Sequence, residues 1–405
     1  MSSNNYNFLL DIYDDIENIE VIDIQYENIR SLPKLLDFKN LLRLYCNNNL
    51  LTSLPELPDT LVILECHENS IKSLPRLPPN LEVLSCFKNQ IKELPLLPRT
   101  LNVLSCGENM LSRLPELPNS LIELYCSYNK ITVIPPLPPS LKVLLCMNNK
   151  IVKLPTLPDS IETIHCEFNE LTSLPELPEK LHSLCCKFNH IVVLPELPNN
   201  LYTFSCAGNS ISFLPKLPDN LDSLECQHNE LTRLPSLPQT LQILDCGANK
   251  LSRLPPLPNS LVLLNCYGNI LRILPSGLPD NLEYLHCESN ILKTLPLISD
   301  NLIKLSCYNN KNLIYTPFLP KNIQTIMIYS NENLECIKRI IERIDKFRFL
   351  YYSLKFKELF RKWLWINIRE KKTKQKYSPE NLSKLLNNDN NYMDIIDKWC
   401  SDDTY

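Results

Sequence analysis

The chain has 405 residues, a net charge of −4, 44% apolar residues, 17 cysteines, 33 prolines and only 5 glycines. That apolar share excludes a mostly disordered chain, and so few glycines leave no Gly-rich phosphate-binding loop. No run approaches the ~18 apolar residues that would span a bilayer, and Met1 to Asp15 lacks the basic start and apolar stretch of a secretory signal.

A cytoplasmic, reducing location is therefore expected, where thiols stay thiols. Residues 1–18 read as an N-terminal extension. At Ile19, Ile22 and Ile24 a repeat begins in eroded form, with Glu27 at a place that later units fill with Asn. From Leu41 the template is L-x-x-L-x-C-x-x-N-x-[LI]-x-x-[LI]-P-x-L-P-x-x, with few departures such as Phe204 for one leucine. Twelve units run at a period of twenty through the one starting at Leu261. Gly277 then inserts one residue, units follow at Leu282 and Leu302, and Ile323 opens a degraded one. That makes fourteen regular units and about sixteen in all, over residues 19–333.

Each unit has a physical reading. In the unit that opens at Leu61, Leu64 and Cys66 alternate with Ile63 and Glu65, which is strand period. Asn69 sits where the strand must turn, and its amide can both donate to and accept from the backbone of the next coil. Leu74-Pro75 and Leu77-Pro78 repeat every three residues, so a polyproline-like return puts both leucines on one side, and proline forbids a helix there. No coil buries its own leucines alone; stacked coils pair their strands in parallel around one core.

The template resembles the leucine-rich repeat, and its twenty-residue form with an LPxLP return is similar to that of the YopM and IpaH class of bacterial effectors. The departure is cysteine in place of the third consensus leucine. Repeat proteins of amoeba-infecting giant viruses are also similar, with Asn-, Ile-, Lys- and Tyr-rich flanks and a tail like Tyr377-Ser378-Pro379-Glu380-Asn381-Leu382 and Asp394-Ile395-Ile396-Asp397-Lys398-Trp399. The resemblance implies an α/β repeat solenoid: a leucine-rich-repeat horseshoe with one short parallel strand per coil and a polyproline-like convex side, to which the helical spacing of the tail adds a helical C-terminal cap. It also implies an inner, concave face that binds a protein.

The cysteine column, including Cys66, Cys86, Cys106, Cys126 and Cys146, occupies a core slot, where free cysteine behaves as a small hydrophobe. A metal needs ligands that converge on one point, whereas one sulfur per coil makes a row. No metal and no cofactor is expected. The asparagines Asn69, Asn89, Asn109, Asn129 and Asn149 form the matching polar ladder. His67 does not recur in its column, so its place beside Cys66 is coincidence.

On the expected concave face the variable positions concentrate apolar and aromatic residues near the middle of the array: Tyr125, Tyr128, Val143, Leu145, Met147, Phe168 and Phe188, with His165 and Cys185 between them. Such clusters on a rigid surface are where interface energy concentrates; the alternative is stacking along the columns with no partner. Glu65, Glu225, Asp245 and Glu288 on the same face argue against DNA there. The expected role is a non-catalytic interaction scaffold for a protein partner, host or viral, with no small-molecule substrate.

Residues 334–405 read as a basic, aromatic, helical region. Ile337, Ile340, Ile341, Ile344 and Phe347 fall at helical spacing, and Ser378-Pro379 fits a helix start. Residues 338–376 carry fourteen Lys/Arg against four Asp/Glu, a net +10, which leaves −14 for the rest. The region suits a cap over the last coil; residues 338–376 equally suit a membrane surface or nucleic acid. Cys400-Ser401-Asp402 matches the C-x-D string of the ubiquitin ligases in the effector class, but too few residues surround it to form that domain.

Overall fold

The structure, a computed structural model, describes residues 18–331 except 315 and 318, together with Lys346. The chain divides into two compact units, Met1–Leu334 and Glu335–Tyr405. The expected helical cap and the basic stretch 338–376, Lys346 apart, and most of the N-terminal extension lie outside the described residues.

The repeat folds into one parallel sheet of sixteen strands whose order is the order of the sequence. Each strand is three residues long. They begin at β1 (Val21–Asp23), β2 (Arg43–Tyr45) and β3 (Ile63–Glu65), step by twenty to β13 (Leu263–Asn265), and end at β14 (Tyr284–His286), β15 (Lys304–Ser306) and β16 (Thr325–Met327). The eroded first unit is thus a full member: Ile22 pairs with Leu44 and is buried. The Gly277 insertion is absorbed outside the sheet, because Leu264 still pairs with Leu285. No helix among the described residues is long and apolar enough to cross a membrane.

The period of two sorts the side chains. In β3 the central Leu64 is buried, while Ile63 and Glu65 are half-buried on the open face. Leu61, Cys66 and Ile71 complete the inside of the coil with no exposure, and Leu77 is buried from the return. Leu74 is partly buried against the same core. Every coil sets these residues in register with those of its neighbours, so the core is continuous along the array.

The polar backbone of each turn needs partners, and three columns meet that need. Asn69 accepts from the Leu51 N–H (2.9 Å) and donates to the carbonyls of Cys46 (3.0 Å), Cys66 (3.1 Å) and His67 (3.1 Å). One amide therefore joins two coils and closes its own turn. A second ladder stands just before the strand-leading leucine in the coils that place Ser or Thr there: Thr60 donates to Leu41 O (2.8 Å), Ser140 to Leu121 O (2.7 Å) and Thr240 to Leu221 O (2.8 Å).

The third column is conformational. The residue before each ladder asparagine takes a left-handed backbone, as at Glu68 (φ 52°), Lys88 (φ 55°) and Phe188 (φ 51°). This turn aims the Glu68 N–H at Phe87 O, 3.0 Å away, in the next coil. Glycine, the residue suited to this region, occupies the column at Gly208 and Gly268. Gly208 has a second reason: a Cβ there would lie 2.5 Å from the Phe188 ring.

Candidate functional site

The variable residues expected to share one surface divide into a floor and a rim. Tyr125, Leu145, His165 and Cys185 are consecutive rungs of one column, at the ends of β6 (Glu123–Tyr125), β7 (Val143–Leu145), β8 (Thr163–His165) and β9 (Ser183–Cys185). Val143 stands two residues earlier in β7 and Met147 just beyond it. All six are half-buried, so each offers part of its surface on a backbone held by pairing on both sides. The Tyr125 hydroxyl donates to Glu123 Oε2 at 2.6 Å. Burial, with that carboxylate beside it, pushes the phenol up to about 12.

Tyr128, Phe168 and Phe188 stand elsewhere. They occupy the left-handed column, with φ of 55°, 55° and 51°, in the turn beyond the strand end. The physical reason is local: the left-handed residue ends the strand alternation, so the third residue after the strand no longer follows its parity. They are the most exposed members of the group, at 52%, 47% and 45%. Phe168 and Phe188 stack at 4.5 Å with planes 15° apart, and the Phe188 ring extends over Gly208. The aromatic residues therefore form a rim beside the floor.

Past β9 the floor becomes polar; sequence reading placed Glu225, Asp245 and Glu288 on this face but missed the contacts that link its side chains. Thr203 donates to Ser183 Oγ (2.9 Å) and Ser205 to Glu225 Oε2 (3.0 Å). Lys187 reaches across two coils to the same Glu225 oxygen at 2.7 Å. Tyr267 OH lies 2.7 Å from His228 Nε2. The signal lay in the columns, where aliphatic residues give way to Thr163, Ser183, Thr203 and Ser223.

The described cysteines are free thiols. All the repeat-column cysteines are buried. Burial pushes Cys46, Cys86 and Cys126 up to about 12, and raises Cys66, Cys106 and Cys146 well above the ordinary thiol value, with neighbouring thiols adding to it. Such groups are poor nucleophiles and poor ligands. Among the described residues no group of three or more His, Cys, Asp or Glu could hold a metal ion. His67, next to Cys66, stacks on Phe87 at 4.4 Å and meets Ser85 Oγ at 3.1 Å.

Cys185 is half-buried, and burial, then the nearby Glu167 charge, push its thiol up to about 12. Its position on the open face would by itself suggest ready labelling, but a thiol raised from 9.0 to about 12 has its thiolate fraction at neutral pH cut roughly a thousandfold. Native alkylation followed by peptide mass mapping should show Cys185 reacting first among the described cysteines, and still far slower than a free thiol. Fast labelling of Cys106, Cys146 or Cys226 without denaturant would contradict a packed thiol column.

Neither a protein-family model nor a curated protein matches the chain by sequence. Solved structures do. YopM from Yersinia pestis, described as a leucine-rich effector protein, is 34% identical with a TM-score of 0.69, covering 76% of this chain and 88% of that one. YopM from Yersinia enterocolitica WA-314 is 32% identical with a TM-score of 0.65, covering 77% and 80%. The functional domain of InlJ from Listeria monocytogenes, described as including a cysteine ladder, shares the fold at 23% identity and a TM-score of 0.63, covering 72% and 68%. Relatives above 30% identity over most of their own length, and leucine, cysteine and asparagine columns held in register across a parallel sheet, lead to one conclusion: the chain belongs to the leucine-rich-repeat family.

Proposed function

We propose that the protein is a non-catalytic scaffold that holds a protein partner on its concave sheet face and the adjoining aromatic rim. The observation that carries this reading is the contiguous strip of Tyr125, Leu145 and Met147 with the stacked Phe168–Phe188 pair. These large side chains keep part of their surface exposed on a backbone held in register by the parallel sheet. Aromatic anchors on a pre-ordered surface bury area at small entropic cost. The partner is a host or viral protein met in a reducing cytoplasm, in line with the giant-virus resemblance and the column of thiols.

Substituting Tyr125→Ser, Phe168→Ser and Phe188→Ser together tests the reading. Partner capture from host cytosol should fall below detection, while circular dichroism and melting stay near wild type because none of the three is a core residue. A triple variant that captures the same partners as wild type would remove this surface from consideration. The basic stretch 338–376 would then become the leading candidate, tested by salt-sensitive binding to anionic vesicles or nucleic acid.

A further inference from the structure

The polar half of the sheet face carries a charge arrangement that works against the fold. β11 (Ser223–Glu225) and β12 (Ile243–Asp245) set Glu225 directly opposite Asp245, and like charges facing each other across neighbouring strands are destabilising. Glu225 has a counter-ion in Lys187. Asp245 accepts from neutral donors, the Gly247 N–H at 3.1 Å and the Asn265 amide at 3.0 Å, and among the described residues has no Lys or Arg beside it, the nearest cation-forming group being the His228 ring. An asparagine could occupy the same place, with its neighbour's amide reversed, and carry no charge.

Three features beside this pair fit a cationic, donor-rich ligand. In the open-face columns from β9 to β14, Lys187 is the only Lys or Arg, against Glu225, Asp245 and Glu288, the last of which has the His286 ring 3.9 Å away. The Gln227 side-chain oxygen is shielded from solvent and meets no donor. Tyr267, its hydroxyl fixed on His228, leans its ring over Gly247, where a Cβ would clash. That ring stands one coil from Asp245, as aromatic faces that receive a guanidinium or ammonium group do.

We propose that the sheet face from β11 to β14 takes an extended basic segment of a partner protein, with one Arg or Lys seated between Glu225 and Asp245 against Tyr267, and a second directed at Glu288. Strands ~4.8 Å apart and an extended rise of ~3.3 Å per residue place these two cations three to four residues apart in the segment. This rests on the scaffold reading and specifies the partner's chemistry. The uncompensated charge is then a binding determinant held at some expense to stability, a known trade-off at functional surfaces.

The test uses the full chain and three fluorescent twelve-residue peptides of one Gly/Ser background, with Arg, Gln or Glu at two positions four apart. Only the Arg peptide should bind, and binding should weaken with salt. Asp245→Asn should weaken it at least about tenfold, as loss of a charge-assisted contact does, and should raise the melting temperature by relieving the Glu225–Asp245 repulsion. A purely structural Asp245 would not move these two readouts in opposite directions. Glu225→Gln supplies a second variant with the same expected loss. Equal binding of the Gln peptide, or unchanged Arg-peptide binding in both variants, overturns the proposal. So does displacement of the Arg peptide by micromolar Ca²⁺ or Mg²⁺, which would make the pair a metal site. The Tyr125, Phe168, Phe188 triple variant lies outside these coils and should bind the Arg peptide normally. Loss of the natural partner in that variant, with Asp245→Asn inert, would leave the scaffold reading standing and this one rejected.

Discussion

Asn149→Ala should destabilise the protein by about 1–3 kcal/mol. The Asn149 side chain accepts from the Ile131 N–H (3.0 Å) and donates to the carbonyls of Cys126 (3.0 Å), Cys146 (3.1 Å) and Met147 (3.3 Å). Alanine leaves a donor and acceptors of two coils without partners in a half-buried turn. An orphaned buried polar group costs ~1–3 kcal/mol, and the N–H has no alternative acceptor in register. Asn149→Asp should do nearly as much harm, because a carboxylate keeps the accepting role and loses the donating one. Denaturant melts of the three proteins decide it. An alanine variant that melts like wild type would mean the turn is held by its backbone bonds alone.

Phe204→Ala should cost about 3–5 kcal/mol, the range for removing a buried aromatic side chain. Phe204 is the centre of β10 (Thr203–Ser205), 1% exposed, and pairs with Leu184 and Leu224. Its ring fills a slot that leucine fills in the adjacent coils, so Phe204→Leu should cost less than about 1.5 kcal/mol. Long repeat arrays lose all-or-none unfolding when one unit weakens. The damage should therefore appear as faster amide exchange centred on the Phe204 coil. Uniform acceleration along the whole array would show instead that the coils unfold as one body.

Much of the fold was legible because the repeat carries its own controls. Leu64, Cys66, Asn69 and Ile71 recur at fixed offsets, so one coil reads the same way many times over, and the strand at Ile63–Glu65 follows from parity alone. The left-handed column was not legible: Glu68, Lys88, Tyr128, Phe168 and Ala248 share a backbone state without sharing a side-chain type. Missing it put Tyr128, Phe168 and Phe188 on the same surface as Tyr125, although they stand on the rim. The second ladder was visible as Thr60, Thr100, Ser120 and Ser140 before each leucine. It went unread because short polar residues beside prolines read equally well as ordinary turn residues. The polar half of the site was hidden for another reason. Lys187 and Glu225 are 38 residues apart, and no local pattern tells which of many scattered charges will meet.

The strict register has a consequence for heredity. Each strand pairs only with its neighbours in the chain, and every coil presents the same leucine, cysteine and asparagine columns at both seams. Gain or loss of one sixty-nucleotide unit by recombination between repeats therefore joins compatible seams and keeps the core continuous. Such an event lengthens or shortens the exposed face by one rung and changes which variable residues lie side by side. Copy number and face composition can thus vary together in a lineage without passing through an unfolded intermediate. A shift of nineteen or twenty-one codons is accommodated only where, as at Gly277, the extra residue falls outside the strand and the asparagine turn.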